Sequence, residues 1–549
     1  MPTVTLNKKV FEKLVGEKLP EDKLKDRISM LGTDLEGIRG NEIHVEVFPN
    51  RPDMLSEQGF ARAFSSFIGV KTGLRKYKVR STGSKLFVKN LPPQWPYGVA
   101  CIVRGLKFDD EKIREVIQLQ EKLGTTLTRN RRKGGLGLYP LEKIKFPITF
   151  TGKKPEDIKF RPLEFREQLT AKQILSRHPK GREYGSIMDG WKTYPVFVDS
   201  KGTVMSMPPI INSHDVGKID ETTNDVFIEG TGPDLNTIMV SLAILATSLA
   251  DMGGEIHSLE IIYPKRKFTF PDLRPGKMKI DIDYCNKWLG LNLKGREVKR
   301  LLGRMGFGYE NKTVLVPAYR ADVMHPVDLF EDVAIAYGYD NFEHEIPNIS
   351  TIGEEDPFEI FKKKIADLMI GLGFLETATY HLTNREDMNT KMLTDLDYVE
   401  LLNPANIEYD ILRSWVLPSL MKVLSENTRH DYPQKIFDIG TVFKKNPAKE
   451  TSVEEFARIA CVSCHKDANY TEIRQYLECM LSSFGLKNKV VKTEHPSFIP
   501  GRVGRVSVKG KKIAYVGELH PQVLENFGIE QPVCAFELNL TDLFPLLKK

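Results

Sequence analysis

VFIEGTGPDLNTIMVSLAILATSLA, residues 226–250, holds a strand, a turn and a helix in one unbroken stretch. Val226, Phe227 and Ile228 begin an apolar run of strand-forming residues. Alternate side chains of an extended chain share a face, so Glu229 and Thr231 point the same way. Gly230, Gly232 and Pro233 make the turn, and Asp234 stands where a helix cap belongs. Leu235–Ala250 then runs without a charge and reads as a buried helix, too short to cross a bilayer. The cap explains Asp234. Glu229 is harder to place, because a carboxylate among apolar neighbours must find a donor or keep its proton. A ligand hydroxyl would serve.

Upstream, Ser206-Met207-Pro208-Pro209-Ile210-Ile211-Asn212-Ser213-His214-Asp215 stiffens the chain with two prolines and then presents four hydrogen-bonding residues in a row. Read by itself it is equally a turn followed by a helix cap. Further back, Arg129-Asn130-Arg131-Arg132-Lys133-Gly134-Gly135 packs four cations into five residues beside flexible glycines. That pattern suits either a phosphate, gripped by paired guanidinium donors, or a solvated loop. Downstream, Arg320-Ala321-Asp322 precedes Asp328, Glu331 and Asp332, the last three on one helical face. Clustered carboxylates suit Mg²⁺, and acids in a first helical turn also suit capping.

The chain has 549 residues, which predicts three to five domains. Apolar residues make up 41% and charged residues 28%, the balance of an ordinary globular protein. A net charge of +6 is a mild bias at this length and argues nucleic-acid contact only where cations cluster. The start, MPTVTLNKKVFEKLVG, has charges throughout and no apolar signal core, so neither secretion nor membrane insertion is expected. Six scattered cysteines do not make a disulfide framework and fit a reducing cytoplasm. Cys461-x-x-Cys464 is a single pair inside the apolar run Ala457–Cys464, which reads as a buried strand.

Four zones follow: an N-terminal α/β region at 1–82, closing in the basic stretch RKYKVRSTGSK read as a linker, then 86–264, 268–346 and 350–549. Helices are expected over Glu111–Leu123 and over Gly295–Met305, the second basic and stopped by Gly306. A short repeat links the first and third zones. Arg51-Pro52-Asp53 precedes Gly69, and Arg320-Ala321-Asp322 precedes Gly338 at the same spacing, each between an apolar strand and an apolar helix.

In order along the chain these segments resemble the β subunit family of phenylalanyl-tRNA synthetase in its archaeal/eukaryotic form. RNRRKGGLGLYPLEKI (129–144), HPKGREYG (178–185), MPPIINSHD (207–215) and VFIEGTGPD (226–234) resemble its editing module. VPAYRADVMHPVDLFEDVAIAYGYDNF (316–342) resembles its acidic domain. GLGFLETATYHLT, LLNPANIEYDILRSWVLPSLMKVLSEN, KIFDIGTVF, IPGRVGRV and VGELHPQVL resemble its degenerate class II synthetase domain.

The resemblance implies a multidomain α+β and α/β chain. It would comprise an editing domain, a nucleic-acid-binding-like acidic domain and a synthetase-like domain on an antiparallel sheet. It also implies an α₂β₂ enzyme joining phenylalanine to tRNA(Phe), with ATP and phenylalanine held by the α subunit. Arg413 and Lys435–Phe443 sit where a second class II motif would, but no glycine-rich third motif follows; Gly501-Arg502-Val503-Gly504 has the wrong surroundings. No adenylation is therefore expected of this chain alone.

The family's second activity would be hydrolysis of tyrosyl-tRNA(Phe), since a phenylalanine pocket poorly rejects an added hydroxyl. Glu229 would read that hydroxyl, and Asn212, Ser213, Thr231 and Asp234 would line the pocket or place the water. His178 and His214 would contact the ester or terminal adenosine, and Arg129, Arg131 and Arg132 the acceptor end. Asp322, Asp328, Glu331 and Asp332 match the family's Mg²⁺ positions. A free-standing tRNA deacylase and a non-enzymatic RNA-binding scaffold are the rival readings.

Overall fold

The computed structural model describes residues 2–547, which form two compact units, one ending at Ile346 and the other beginning at Pro347. The first is built on a ten-stranded mixed sheet. Nine strands run in the spatial order Ile211–Asn212, Val204–Met207, Tyr194–Val198, Ile148–Lys153, Val79–Lys89, Glu255–Ile262, Tyr97–Arg104, Val226–Gly232 and Gly135–Pro140. The tenth, Lys267–Phe270, pairs with Glu255–Ile262. Two zone edges drawn from the sequence therefore fall inside this sheet. The stretch read as a basic linker forms the strand Val79–Lys89, parallel to Glu255–Ile262, because Leu86 and Val88 alternate into the core beneath its surface lysines. A hairpin likewise spans the edge placed between 264 and 268.

The uncharged stretch is the helix Leu235–Asp251, and Asp234 caps it by accepting from the Thr237 N–H at 2.7 Å. Leu242, Ile244, Leu245 and Leu249 are buried. Each such side chain contributes roughly 1.5–3 kcal/mol against about 1 for the cap, so packing sets the helix's position and the cap its start. The helix Asp110–Thr125 starts in the same way at Asp109, and the basic helix runs Gly295–Arg304. No helix among the described residues is long and apolar enough to cross a membrane.

The two repeated turns have the same geometry. Arg51 donates from Nε and Nη2 to the carboxylate of Asp53 at 2.8 and 2.9 Å, and Arg320 does so to Asp322 at 2.8 and 2.6 Å. Each leads into a helix, Glu57–Phe67 or Pro326–Tyr337, closed by a glycine with φ of +92° or +96°. Both ion pairs are buried, and Arg320 also donates to Asp332 at 2.7 Å.

This arrangement corrects the expected Mg²⁺ set. Asp322 and Asp332 are engaged by the Arg320 guanidinium, and Asp328 accepts from the N–H groups of Met324 and His325. With Glu331 exposed, the four carboxylates do not converge, and no group of three or more metal-binding side chains is assembled among the described residues. The guanidinium supplies the positive charge that an ion would have brought, so these residues do not fit a resident Mg²⁺.

The second unit carries a seven-stranded sheet in the order Leu375–Glu376, Gln434–Lys445, Val453–Cys464, Val533–Asn539, Lys511–Leu519, Phe498–Val508, Asn488–Lys492. It is antiparallel except at its first pair. Alternation along Val453–Cys464 feeds two cores. Ile459 and Cys461 pack with the helices Pro357–Gly371 and Tyr470–Ser483, while Ala460 and Val462 pack with Leu417–Glu426. Arg413 is 1% exposed and donates to Thr441 O and Thr379 Oγ1 at 2.9 and 2.6 Å. Gly440 leaves it room: a Cβ there would stand 1.8 Å from Arg413 Nη2. Arg502 lies in the strand Phe498–Val508, paired at its surface with Glu518. Among the described residues all six thiols are free and only Cys479 is exposed.

Candidate functional site

The first unit encloses a cavity of about 430 Å³ between the helix Asp110–Thr125, the edge strand Gly135–Pro140 and the segment Pro208–Asn212. Its walls combine aliphatic side chains, among them Ile113, Ile117, Leu136, Leu138, Ile210 and Ile211, with polar and charged ones such as Gln120, Arg131, Lys180 and Asn212. A volume in this range suits a small ligand held by a few placed polar groups. Its lining contains no serine, threonine or cysteine among the described residues, so no side-chain hydroxyl or thiol is placed for nucleophilic attack.

Glu229 reaches the cavity from the strand Val226–Gly232 and is 2% exposed. Its Oε1 lies 3.2 Å from the hydroxyl of Tyr139, and its Oε2 is buried without a hydrogen-bond partner. Burial pushes its carboxyl up to about 8, with the Tyr139 bond pulling the other way. The Tyr139 hydroxyl is also 3.1 Å from Asn212 Oδ1. Tyr139 lies on one terminal strand of the nine-strand path and Asn212 on the other, so this contact joins the two ends of the curled sheet. Gly137, opposite Glu229, is required by space: a Cβ there would stand 2.5 Å from Glu229 Oε1 and 2.7 Å from the Tyr139 hydroxyl.

Four of the seven expected pocket residues, Asn212, Glu229, His178 and His214, line the cavity. His178 is occupied as structure. Its Nδ1 accepts from Lys180 N at 3.1 Å, capping the helix Pro179–Tyr184, and its Nε2 faces Leu163 O at 3.1 Å. His214 Nδ1 accepts from Glu164 N at 3.3 Å. Ser213, Thr231 and Asp234 stand outside the lining. Ser213 caps His214–Gly217, Asp234 caps its helix, and the Thr231 hydroxyl is buried without a partner.

The basic cluster also divides. Arg129 and Arg132 are exposed, whereas Arg131 turns inward, donating from Nη1 to Pro209 O and Ile210 O at 3.0 and 2.9 Å and lying 4.3 Å over the Tyr184 ring. A guanidinium spent on two carbonyls is poorly placed to grip phosphate, which corrects the role expected of Arg131. Arg129, Asn130 and Arg131 hold φ of 51°, 52° and 61°, three successive left-handed residues at roughly 1–3 kcal/mol each. Such strain persists only where surrounding contacts outweigh it, here Arg131 N to Gly124 O at 2.9 Å and the two carbonyl bonds.

Curated relatives match the whole length. Phenylalanine–tRNA ligase β subunit of Pyrococcus abyssi is 39% identical over 555 residues, covering 99% of this chain and 100% of the relative. The chain belongs to the phenylalanine–tRNA ligase β subunit family. The β subunit of Archaeoglobus fulgidus is likewise 39% identical, over 99% of both chains. A solved N-terminal fragment of the Pyrococcus horikoshii phenylalanyl-tRNA synthetase β subunit superimposes with a TM-score of 0.59 at 36% identity. It covers 61% of this chain and 99% of the fragment. Family models for the tRNA synthetase B5 domain and the phenylalanyl-tRNA synthetase β-chain CLM domain match residues 278–339 and 343–540. In this β-subunit family member the first match contains both Arg320 and its carboxylates, and the second contains the seven-stranded sheet.

Tyr139 and Gly137 were missed by sequence reasoning. Their signal was the alternation Gly137-Leu138-Tyr139 within GLGLYP, but it becomes a signal only once the register opposite Glu229 is known.

Proposed function

We propose that this chain is the β subunit of an α₂β₂ phenylalanyl-tRNA synthetase and hydrolyses tyrosyl-tRNA(Phe) in the cavity at Glu229, while the partner α subunit binds ATP and phenylalanine and performs aminoacylation. One observation carries the editing reading: a buried carboxyl, pushed up to about 8 by burial, with one oxygen lacking a partner, in the wall of a cavity that combines aliphatic and polar side chains. A tyrosine ring fills aliphatic space and its hydroxyl satisfies that oxygen. Phenylalanine would leave it unpaired at roughly 1–3 kcal/mol, about tenfold or more in preference.

The absence of a lining hydroxyl or thiol favours attack by water. Exposed Arg129 and Arg132 favour contact with the tRNA backbone near the cavity. The division of labour is supported by the second unit, where Arg413 is sealed into the core and Arg502 is paired at the surface. That unit also exposes Leu375, Tyr380, Leu402 and Ile407 at 69%, 74%, 93% and 86%, the kind of surface a partner subunit covers.

Purification with and without the α subunit tests both parts. The pair is expected to charge tRNA(Phe) with phenylalanine and the single chain is not. Either preparation is expected to deacylate tyrosyl-tRNA(Phe). Charging by the chain alone would overturn the division of labour, and failure of both preparations to deacylate would overturn the editing assignment.

A further inference from the structure

The second unit holds a cavity of its own, of about 530 Å³, beside the start of the helix Leu417–Glu426. The register of the seven-stranded sheet assembles its charged floor. Tyr515 stands opposite Arg505 on one side and Glu537 on the other, and Glu537 stands opposite Ala460, two residues from Arg458. Cross-strand partners and alternate residues share a face, so Arg505, Tyr515, Glu537 and Arg458 lie together. Lys444, opposite Glu454, joins them on that face.

Five cations and three carboxylates line this cavity, and the carboxylates are already engaged. Glu537 accepts from Arg458 Nη1 at 2.8 Å and from the N–H groups of Val416 and Leu417 at 2.9 Å each. Asp397 pairs with Lys445 at 2.9 Å, and Asp542 pairs with Lys511, outside the lining, at 2.6 Å. Lys444, Arg505 and Lys512 are left without an ion pair among the described residues. Arg505 lies 4.0 Å over the Tyr515 ring instead. Burial, and then the nearby Arg458, hold the Lys444 ammonium below the ordinary lysine range. The His495 ring is 4.9 Å from that of Tyr515. Burial first and Arg505 second push His495 down to about 4, so it is neutral at pH 7. Its Nδ1 accepts from Ser497 N at 3.2 Å, which places its hydrogen on Nε2, where it has no partner among the described residues.

Three unpaired cations gathered at one cavity repel each other, and an anionic ligand relieves that repulsion. A carboxylate brings one charge. A diphosphate brings two or more, with enough acceptor oxygens for a guanidinium, two ammonium groups and an imidazole N–H. We propose, independently of the editing reading, that this cavity is a second ligand site, which binds small diphosphate-bearing molecules through Lys444, Arg505 and Lys512, with His495 as a neutral donor. The ligand is held there and no bond is made or broken.

Titration calorimetry tests this on the full chain without the α subunit, to which ATP binding is assigned above. The probes are inorganic pyrophosphate, ADP and orthophosphate in metal-free buffer. One pyrophosphate is expected per chain, and orthophosphate should bind more weakly by about tenfold or more. ADP binding tighter than pyrophosphate would support a nucleotide as the natural ligand, and equal or weaker ADP binding a free diphosphate. Arg505→Gln and Lys444→Gln should each weaken pyrophosphate binding about tenfold or more. Lys445→Gln, whose cation is already paired with Asp397, should leave it within about threefold. If Arg505→Gln does not fold, Lys512→Gln at its exposed position carries the same test.

No saturable binding of pyrophosphate overturns the proposal. Equal weakening by Lys445→Gln and Lys444→Gln also overturns it, since that result means diffuse attraction rather than a site. If these residues bind tRNA and not pyrophosphate, the cavity is a nucleic-acid contact and the proposal is again overturned. Hydrolysis of tyrosyl-tRNA(Phe) is untouched by each of these outcomes, so the editing reading stands or falls separately.

Discussion

At the scale of single residues, the proposed selectivity rests on Glu229, and its burial has a measurable cost. Its carboxyl sits at about 8 in the folded chain against 4.5 when free. Between those values the folded state binds more protons than the unfolded one, so its contribution to stability falls as pH rises through this window. Glu229→Gln removes that slope. The variant is expected to match the parent in unfolding free energy near pH 5 and to exceed it near pH 8, by an amount on the order of a few kcal/mol. A gap independent of pH would mean that the carboxyl is not held neutral. Gly137→Ala tests the same neighbourhood sterically. A methyl 2.5 Å from Glu229 Oε1 must displace the carboxyl, so hydrolysis of the tyrosyl ester should drop sharply while stability falls by about 1–3 kcal/mol.

At the scale of elements, the paired turns and the basic loop make separate predictions. Arg320 is buried and paired with two carboxylates, so Arg320→Met should destabilise the chain by about 3–5 kcal/mol. Chelating Mg²⁺ should leave the thermal midpoint unchanged. A fall on chelation would restore the metal that the acidic helix suggests in sequence. In the loop, Arg129→Ala with Arg132→Ala should weaken tRNA binding and lower the salt slope by about 1–2, as expected for lost phosphate contacts. Arg131→Ala should leave that slope alone and impair hydrolysis, because it releases the carbonyls of Pro209 and Ile210.

These elements also show what a sequence can carry. The helix Leu235–Asp251, its Asp234 cap and the buried Glu229 were legible because each is set by local pattern: a charge-free run, a cap, one acid among apolar neighbours. The Arg-x-Asp repeat was legible as spacing, but not as two ion pairs competing with a metal, since Asp332 reaches Arg320 only once the helix packs. The inward turn of Arg131 and the Tyr139–Asn212 contact were illegible for the same reason. Both join strands or loops far apart in sequence, through a sheet order that no local pattern encodes. The strand Val79–Lys89 was hidden by its own surface lysines and glycine.

At the scale of the whole molecule, the chain is built as two units with separate cores, and the cavity at Glu229 lies in the first. If the second unit serves to dock the α subunit, charge placed among its exposed apolar residues should separate the two functions. Leu402→Arg with Ile407→Asp is expected to abolish co-purification with the α subunit and phenylalanine charging, while tyrosyl-ester hydrolysis by the chain persists. The most direct measurement of the central claim compares release of amino acid from tyrosyl- and phenylalanyl-tRNA(Phe) by the parent chain and by Glu229→Ala. The account predicts that the parent prefers the tyrosyl ester by about tenfold or more and that the variant loses this preference. Equal cleavage of both esters by the parent, or a preference that survives in Glu229→Ala, would contradict it.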